Sequence, residues 1–485
     1  MQFRRGTLFT GKLRVRQSGT ASAPLLITAW GTGAAPIFEN PGGTMYDSLI
    51  SLEAVSQVII EHLLLRDTGF AGVDIPSTSS RITVRDCEMT NAGEGVSLSG
   101  HDNLITRNYV HDMRMVRNTP VTVNPDDDYG ANGVVVGGNS NEISYNRFIR
   151  CIAPSYDYTF DGGAVEFYGT TANNFVHHNF SSDSNGFLEI GGATGDTNTD
   201  NVVATNVVLD TGNFAYFHNA GTFAITLTGF RVENNTIVLR NSVGAAISAQ
   251  MNWTPGALLV RNNIIVTNNA VVFGRTGLTH ENNVVWRLDG QANVGLTLDA
   301  TEQRADPRFV ALAGDDLHLG ANSPAIDRGQ ALPSALDFDD SPRPAGAAMD
   351  VGAYEYRVAM DAGLNTDAGL NADAGLNADA GLNSDAGLNS DAGLDSDAGL
   401  DSDAGLDSDA GLVADAGLVA DAGLVADAGL VADAGLDSPD AGPAVPANGD
   451  VVAGCGCDAS AGLAWVLLLS FVARRRQARG PRFDA

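Results

Sequence analysis

Lysine is nearly missing from this chain. Lys12 is the only one in 485 residues, and the other basic side chains among the 28 are arginine, so any cationic chemistry falls to Arg or His. The 58 acidic residues leave a formal net charge of -30, and a surface of that sign repels a polyphosphate, which argues against nucleic acid as a partner. Cysteine is scarce too. Cys87 and Cys151 stand in the body and Cys455 and Cys457 near the C-terminus, too few for a disulfide scaffold. Long apolar runs are confined to residues 459–473, and GTLFTGKLRV near the start alternates like a strand instead of running apolar like a signal core. A longer upstream reading frame carrying the signal is the expectation, because the C-terminal end argues for export. Helical period is also lacking between about residues 6 and 300.

What fills that span is a series of short apolar alternations broken by Gly, Asn, Asp and Ser. Two segments repeat one another: GAVEFYG (163–169) and GFLEIGG (186–192) align Glu166 with Glu189, each on the face opposite Val165 and Phe167 or Leu188 and Ile190. A second landmark, Ile-x-x-Asn-x-Ile, recurs at Asn108, Asn146, Asn179, Asn206, Asn235, Asn263 and Asn283, with Asp86 in the same slot of RITVRDCEM. Where insertions are absent, the spacing is about one coil of a parallel β-helix. Asparagine at each turn is expected to take left-handed dihedrals and to bond its equivalent one rung away, making a ladder. The strands GVDI, GVSL, GVVV, AVEF and FLEI then form the first sheet of successive coils, and the excess length lies in two insertions, 111–132 and 150–162.

These landmarks resemble the right-handed parallel β-helix superfamily of pectate lyases, chondroitinase B-like lyases and rhamnogalacturonan-type hydrolases. SGTASAPLLITAWG (18–31) is similar to the opening coil of many such bacterial proteins. The resemblance implies an all-β, single-stranded right-handed parallel β-helix over 1–300, in which inserted loops wall a groove on the outer face of the first sheet. Glu166 and Glu189 point there. The Asn-x-x-Lys and Arg-His-Gly signatures of the chondroitinase B-like lyases are absent.

Three functions compete for that groove. Rungs of a parallel sheet lie about 4.8 Å apart, so two outward glutamates in register place carboxyl groups at roughly 5 Å, near the spacing of a retaining glycosidase pair. Like charges so close raise one pKa and yield an acid beside a base. Glu166, Glu189 and Asp161 are therefore the catalytic candidates for hydrolysis of a polysaccharide. Arg114, Arg117 and Arg150 in the insertions, with His218, Tyr129, Tyr158 and Tyr168, are the substrate-binding candidates, the tyrosines by stacking on sugar rings. The alternative is a lyase, whose β-elimination needs an Arg or His base (His111, His177 and His178 being further choices) and a cation such as Ca²⁺, for which Asp126, Asp127 and Asp128 are the candidate ligands. The third possibility is a binding or adhesive protein with no chemistry.

Residues 301–358 change character. Ser323-Pro-Ala-Ile-Asp-Arg-Gly329 and Asp350-Val-Gly-Ala-Tyr-Glu355 resemble the choice-of-anchor Q segment that follows bacterial β-helices, and a C-terminal β cap over the open end of the strand stack is the expected role. Over 359–450 the tetrapeptide DAGL recurs with a period of six. Unopposed charge and few aromatics predict a disordered, self-repelling stalk. The final segment, 451–485, joins AGCGC to a short apolar helix and Arg474-Arg475-Arg476, which resembles the myxobacterial C-terminal sorting domain. That implies a cell-surface protein, a membrane or envelope partner, a sortase-like processing protease, and lipid modification at Cys455 or Cys457.

Overall fold

The computed structural model describes residues 1–124, 127–220, 225–242, 244–332 and 336–357. The expected stalk (359–450) and sorting segment (451–485, with Cys455 and Cys457) lie outside the described residues, as does Asp126.

Three long sheets of 10, 11 and 12 strands carry the chain, and within each every neighbouring pair is parallel and one coil apart in sequence. This is the parallel β-helix. Its interior follows from register: Ile75, Leu98, Val136, Phe167, Ile190 and Phe217 occupy equivalent positions of successive first-sheet strands, and all are fully buried. Because side chains alternate along a strand, the same register that stacks these apolar groups inward stacks the residues beside them outward. Burying each Leu, Val or Phe stabilises the coil by about 1.5–3 kcal/mol.

The asparagine ladder is present and runs in one direction. Asn108 donates from N and Nδ2 to Asn146 Oδ1 at 3.0 Å, and the same pair of bonds links Asn146 to Asn179, Asn206, Asn235, Asn263 and Asn283. The left-handed residue, however, is the one before each rung: Arg107, Tyr145, His178, Thr205, Asn234, Asn262 and Asn282 have φ of 52–55°. The left-handed residue turns the chain, and the asparagine that follows it tucks beneath the turn, where its amide meets the next coil. Asp86 is accordingly a turn residue with φ 51°, and Cys87 fills the ladder slot, donating its N–H to Asn108 Oδ1 over 3.1 Å.

A second ladder escaped the sequence reading. Asn103, Asn141, Asn174 and Asn201 are linked by the same paired bonds at 2.9–3.1 Å. Its signal was an asparagine five residues ahead of Asn108, Asn146, Asn179 and Asn206, one at each end of a second-sheet strand.

The covering of the core differs from the expected cap. Val294 closes the C-terminal end of the main core: its carbonyl accepts from the amides of Val272 and Phe273 at 3.1 and 2.9 Å, and Leu296 and Leu298 pack beside it. Gln303–Arg304 then adds the last strand of the third sheet. Beyond it the chain turns back along the flank as a strap. Leu317, Leu319, Ala325, Val351, Ala353 and Tyr354 form a second core with Val207, Leu209, Val238, Ile264, Val266 and Val284 of the third sheet. Those third-sheet residues are apolar on the outward side, so the flank needed cover as much as the end did.

Candidate functional site

The outward column of the first sheet reads Asp74, Ser97, Val135, Glu166, Glu189, Tyr216, Ser248 in consecutive register. Ser97 and Val135 are buried although they point outward, whereas Glu166, Glu189 and Tyr216 are half-buried. The column therefore opens at Glu166.

Both insertions fold as antiparallel hairpins beside this opening. Met115–Arg117 pairs with Tyr129–Gly130, and Ala153–Ser155 pairs with Thr159–Asp161. They clamp one another. Asp128 Oδ2 accepts from Ser155 Oγ and from the amides of Tyr156 and Asp157 at 2.8–3.1 Å, and Asp157 Oδ2 accepts from the amides of Asp127 and Asp128 at 2.8 and 3.1 Å. Asp127 is paired with Arg117 and Asn124. Asp127, Asp128 and Asp157 bring ligand atoms within 4.8 Å of one another, but donors already occupy most of these oxygens, and Ca²⁺ takes six to eight. In the described residues the trio is the clamp of the wall.

Asp161 ends the second hairpin and delivers the chain to Gly163–Tyr168, the strand of Glu166. Gly162 makes the junction possible: its φ is 112°, and a Cβ there would fall 2.5 Å from Ala131 O. Burial pushes the Asp161 carboxyl up to about 8, with the charge of Glu189 adding to it; the bond from its neighbour, Gly162 N to Asp161 Oδ1 at 2.8 Å, pulls the other way. Burial and the Glu189 charge both favour the protonated form of Asp161.

Glu189 is the centre of the arrangement. Its Oε1 lies 2.8 Å from Nε2 of the buried His218, and it stands in register with Glu166 on one side and Tyr216 on the other. Glu166 Oε2 accepts from Asn132 Nδ2 at 2.8 Å. Burial first, then the charge of Glu189, raises the Tyr216 phenol, which keeps it a neutral hydrogen-bond donor. A carboxyl favoured in its protonated form near a fixed carboxylate is the kind of pair that acid/base cleavage of an acetal uses.

The structure brings Asp161, Glu166, Glu189 and His218 together and adds Asn132 and Tyr216, which the sequence reading missed. Tyr216 was marked by its register, one coil beyond Glu189; Asn132 carried no signal, because it reaches Glu166 along the sheet from the rung below. Tyr168 is buried on the Glu166 strand, and Tyr129 and Tyr158 are half-buried on the two hairpins. The arginines are engaged elsewhere. Arg114 donates from Nε and Nη2 to Thr68 O at 3.1 and 2.7 Å, Arg117 pairs with Asp127, and Arg150 sits in the turn after the third-sheet strand Arg147–Ile149 with Nε and Nη2 on Asp112 at 2.6 and 2.7 Å. His111 belongs to the third sheet, stacked on Tyr109. His177 and His178 lie on the second sheet and the turn that follows it: His177 contacts Glu142 at 3.2 Å, and His178 Nε2 donates to Asp337 O of the strap at 2.9 Å.

The chain matches no family model and no curated protein sequence. Among solved structures it is similar to pectate lyase Pel9A, with 12% identity and a TM-score of 0.52 over 73% of this chain and 87% of that one. An alginate lyase from Paenibacillus sp. FPU-7 aligns with 15% identity and a TM-score of 0.41 over 58% of this chain and 91% of its own. The tailspike protein of E. coli bacteriophage HK620, solved with a pentasaccharide, aligns with 11% identity and a TM-score of 0.40 over 61% and 56%.

Proposed function

We propose that this protein cleaves a glycosidic bond of a polysaccharide bound along the outer face of the first sheet. One observation carries the reading: Glu189, fixed by the buried His218 and in register with Glu166, shares the opening of the column with Asp161, whose carboxyl burial and the Glu189 charge push toward the protonated form. Asp161 gives its proton to the glycosidic oxygen as the C1–O bond breaks. Glu189, fixed by His218, takes a proton from the water that adds to C1, and the two sugar ends leave as hydroxyls. Glu166, one rung away and fixed by Asn132, accepts hydroxyls of the adjoining sugar. The pectate lyase that shares the fold supports a polysaccharide as the substrate class. Under the same reading the body is exported and held at the cell surface by residues 359–485, with a sortase-like protease acting near Cys455 and Cys457.

The test incubates the full chain with a glycan panel and follows reducing ends together with the ultraviolet absorbance of unsaturated uronides. New reducing ends without absorbance, lost in Asp161→Asn, are the expected result. Absorbance would replace this reading with elimination, and binding without either signal would replace it with a lectin-like role.

A further inference from the structure

We infer that the polysaccharide taken by this groove carries no acidic groups. The inference rests on the proposed function and names the substrate class for the same column.

Its basis is the fate of the cations. At the opening the chain presents Glu166 and Glu189, with Asp161 at the margin and Asp128 and Asp157 in the wall behind it, and the charges of Glu189, Asp128 and Asp157 all act on the Asp161 carboxyl. A groove built for a polyanion would answer these with forked guanidinium groups aimed at the ligand, since a bidentate Arg is the usual partner of a carboxylate. Here the arginines of the two insertions are consumed by the protein: Arg114 holds the carbonyl of Thr68, Arg117 neutralises Asp127, and Arg150 is locked to Asp112. His218 serves Glu189. Arg275 donates from Nε to Ala249 O and acts on Tyr216, on the far side of the column from Glu166.

Among the described residues, Asn132 Nδ2 and the Tyr216 phenol stand beside the two glutamates as neutral donors, with Arg275 on the far side of Tyr216. Sugar hydroxyls fit that set, because each carboxylate oxygen accepts from two donors and the ring faces stack on aromatic side chains. The exposed rings of Tyr156 and Phe160 stand on the hairpin that ends at Asp161. A uronate at the same place would put a third negative charge within a few ångströms of two others, in a half-buried site where screening is weak. The groove thus selects an uncharged pyranose polymer.

The experiment is a retention assay of the full chain on uncharged polymers (a glucan, a galactan, a mannan, a xylan), on polygalacturonate and on alginate, each in EDTA and in millimolar Ca²⁺. Retention by at least one uncharged polymer and by neither polyuronate, in either condition, is the expected outcome. The double variant Glu166→Gln, Glu189→Gln is expected to gain at least tenfold in polyuronate affinity; an unchanged value in a folded variant overturns the charge argument. Retention of the unaltered chain on a polyuronate, with or without Ca²⁺, overturns the inference while leaving a polysaccharide ligand in place. Retention on none of the polymers overturns the proposed function and this inference with it.

Discussion

Asn283 donates from Nδ2 to Glu302 Oε1 over 2.6 Å, and there the axial ladder ends on a carboxylate. Every amide from Asn108 onward donates toward the C-terminal end, so the series leaves a donor to be satisfied at Asn283. Glu302 answers it and also accepts from His280 Nδ1 at 2.6 Å and from the amide of Asp299 at 2.8 Å.

Glu302→Ala removes the acceptor of three donors, the buried Asn283 amide among them, and is expected to destabilise the fold by about 1–3 kcal/mol, with Glu302→Gln costing less because an oxygen remains. His280 supplies a pH signature. Its hydrogen bond to Glu302 raises its pKa above the ordinary 6.5, so the stability it contributes is complete below that value and is lost as pH rises through the folded one. Denaturation midpoints against pH should show this increment in the unaltered chain and not in Glu302→Ala.

Asp161 pulls in the opposite direction, toward function and away from stability. With its pKa raised from 3.8 to about 8, the folded state favours the protonated form, and stability falls as pH climbs between those values. Asp161→Asn mimics the neutral acid. It is expected to abolish turnover, to match the unaltered chain in stability below pH 4, and to exceed it above pH 8. A variant that is inactive yet no more stable in alkali would show that the carboxyl ionises freely. In Glu189→Gln, direct titration of Asp161 should give a lower value, because one of the charges raising it is gone.

Much of this architecture was legible because the β-helix writes itself in register. Once Glu166 is aligned with Glu189, the inward Phe167 and Ile190 and the outward neighbours follow from alternation alone. The turn residues were harder, since the sequence shows an asparagine recurring without showing which of two adjacent residues carries the positive φ; at Asn234-Asn235 and Asn262-Asn263 both are asparagine. The strap was illegible for another reason. Its partners, such as Val207 and Val266, sit outward on a sheet whose inner positions are also apolar, and no period distinguishes a flank that will be covered from a core. The three arginines of the insertions read as substrate ligands because their composition is visible and their partners, a carbonyl at Thr68 among them, are not.

The strap is expected to loosen in acid. His178 is stacked between Tyr145 and Phe338, at 4.8 and 6.4 Å between ring centres, and donates to Asp337 O. Burial, then the neighbouring His177, lowers its pKa from 6.5 to about 4, so the stability it lends is full above 6.5 and is lost as pH falls toward 4. Asp350, raised from 3.8 to about 6 by burial, works the other way over part of that window, losing stability as pH rises. Protection factors for hydrogen exchange at 336–341 should fall below pH 6 in the unaltered chain. His178→Phe keeps the stack but removes the titration and the bond, so its protection factors should be lower at pH 7 and nearly flat with acid.

His218 separates orientation from chemistry. Its Nε2 touches Glu189 at 2.8 Å from a buried position, so it is a positioning residue, acting on substrate through the carboxylate. Loss of a hydrogen bond to a charged group costs about 1.5–3 kcal/mol, which corresponds to roughly 10- to 100-fold in rate. His218→Ala is therefore expected to lower kcat by that factor with KM nearly unchanged, and His218→Gln, which retains a donor of similar reach, should recover part of the loss. If His218 served only the packing of the sheet, both variants would lower the melting temperature alike and leave the kcat of the folded fraction intact. A fall in kcat that Gln partly repairs is the pattern that assigns the histidine to Glu189.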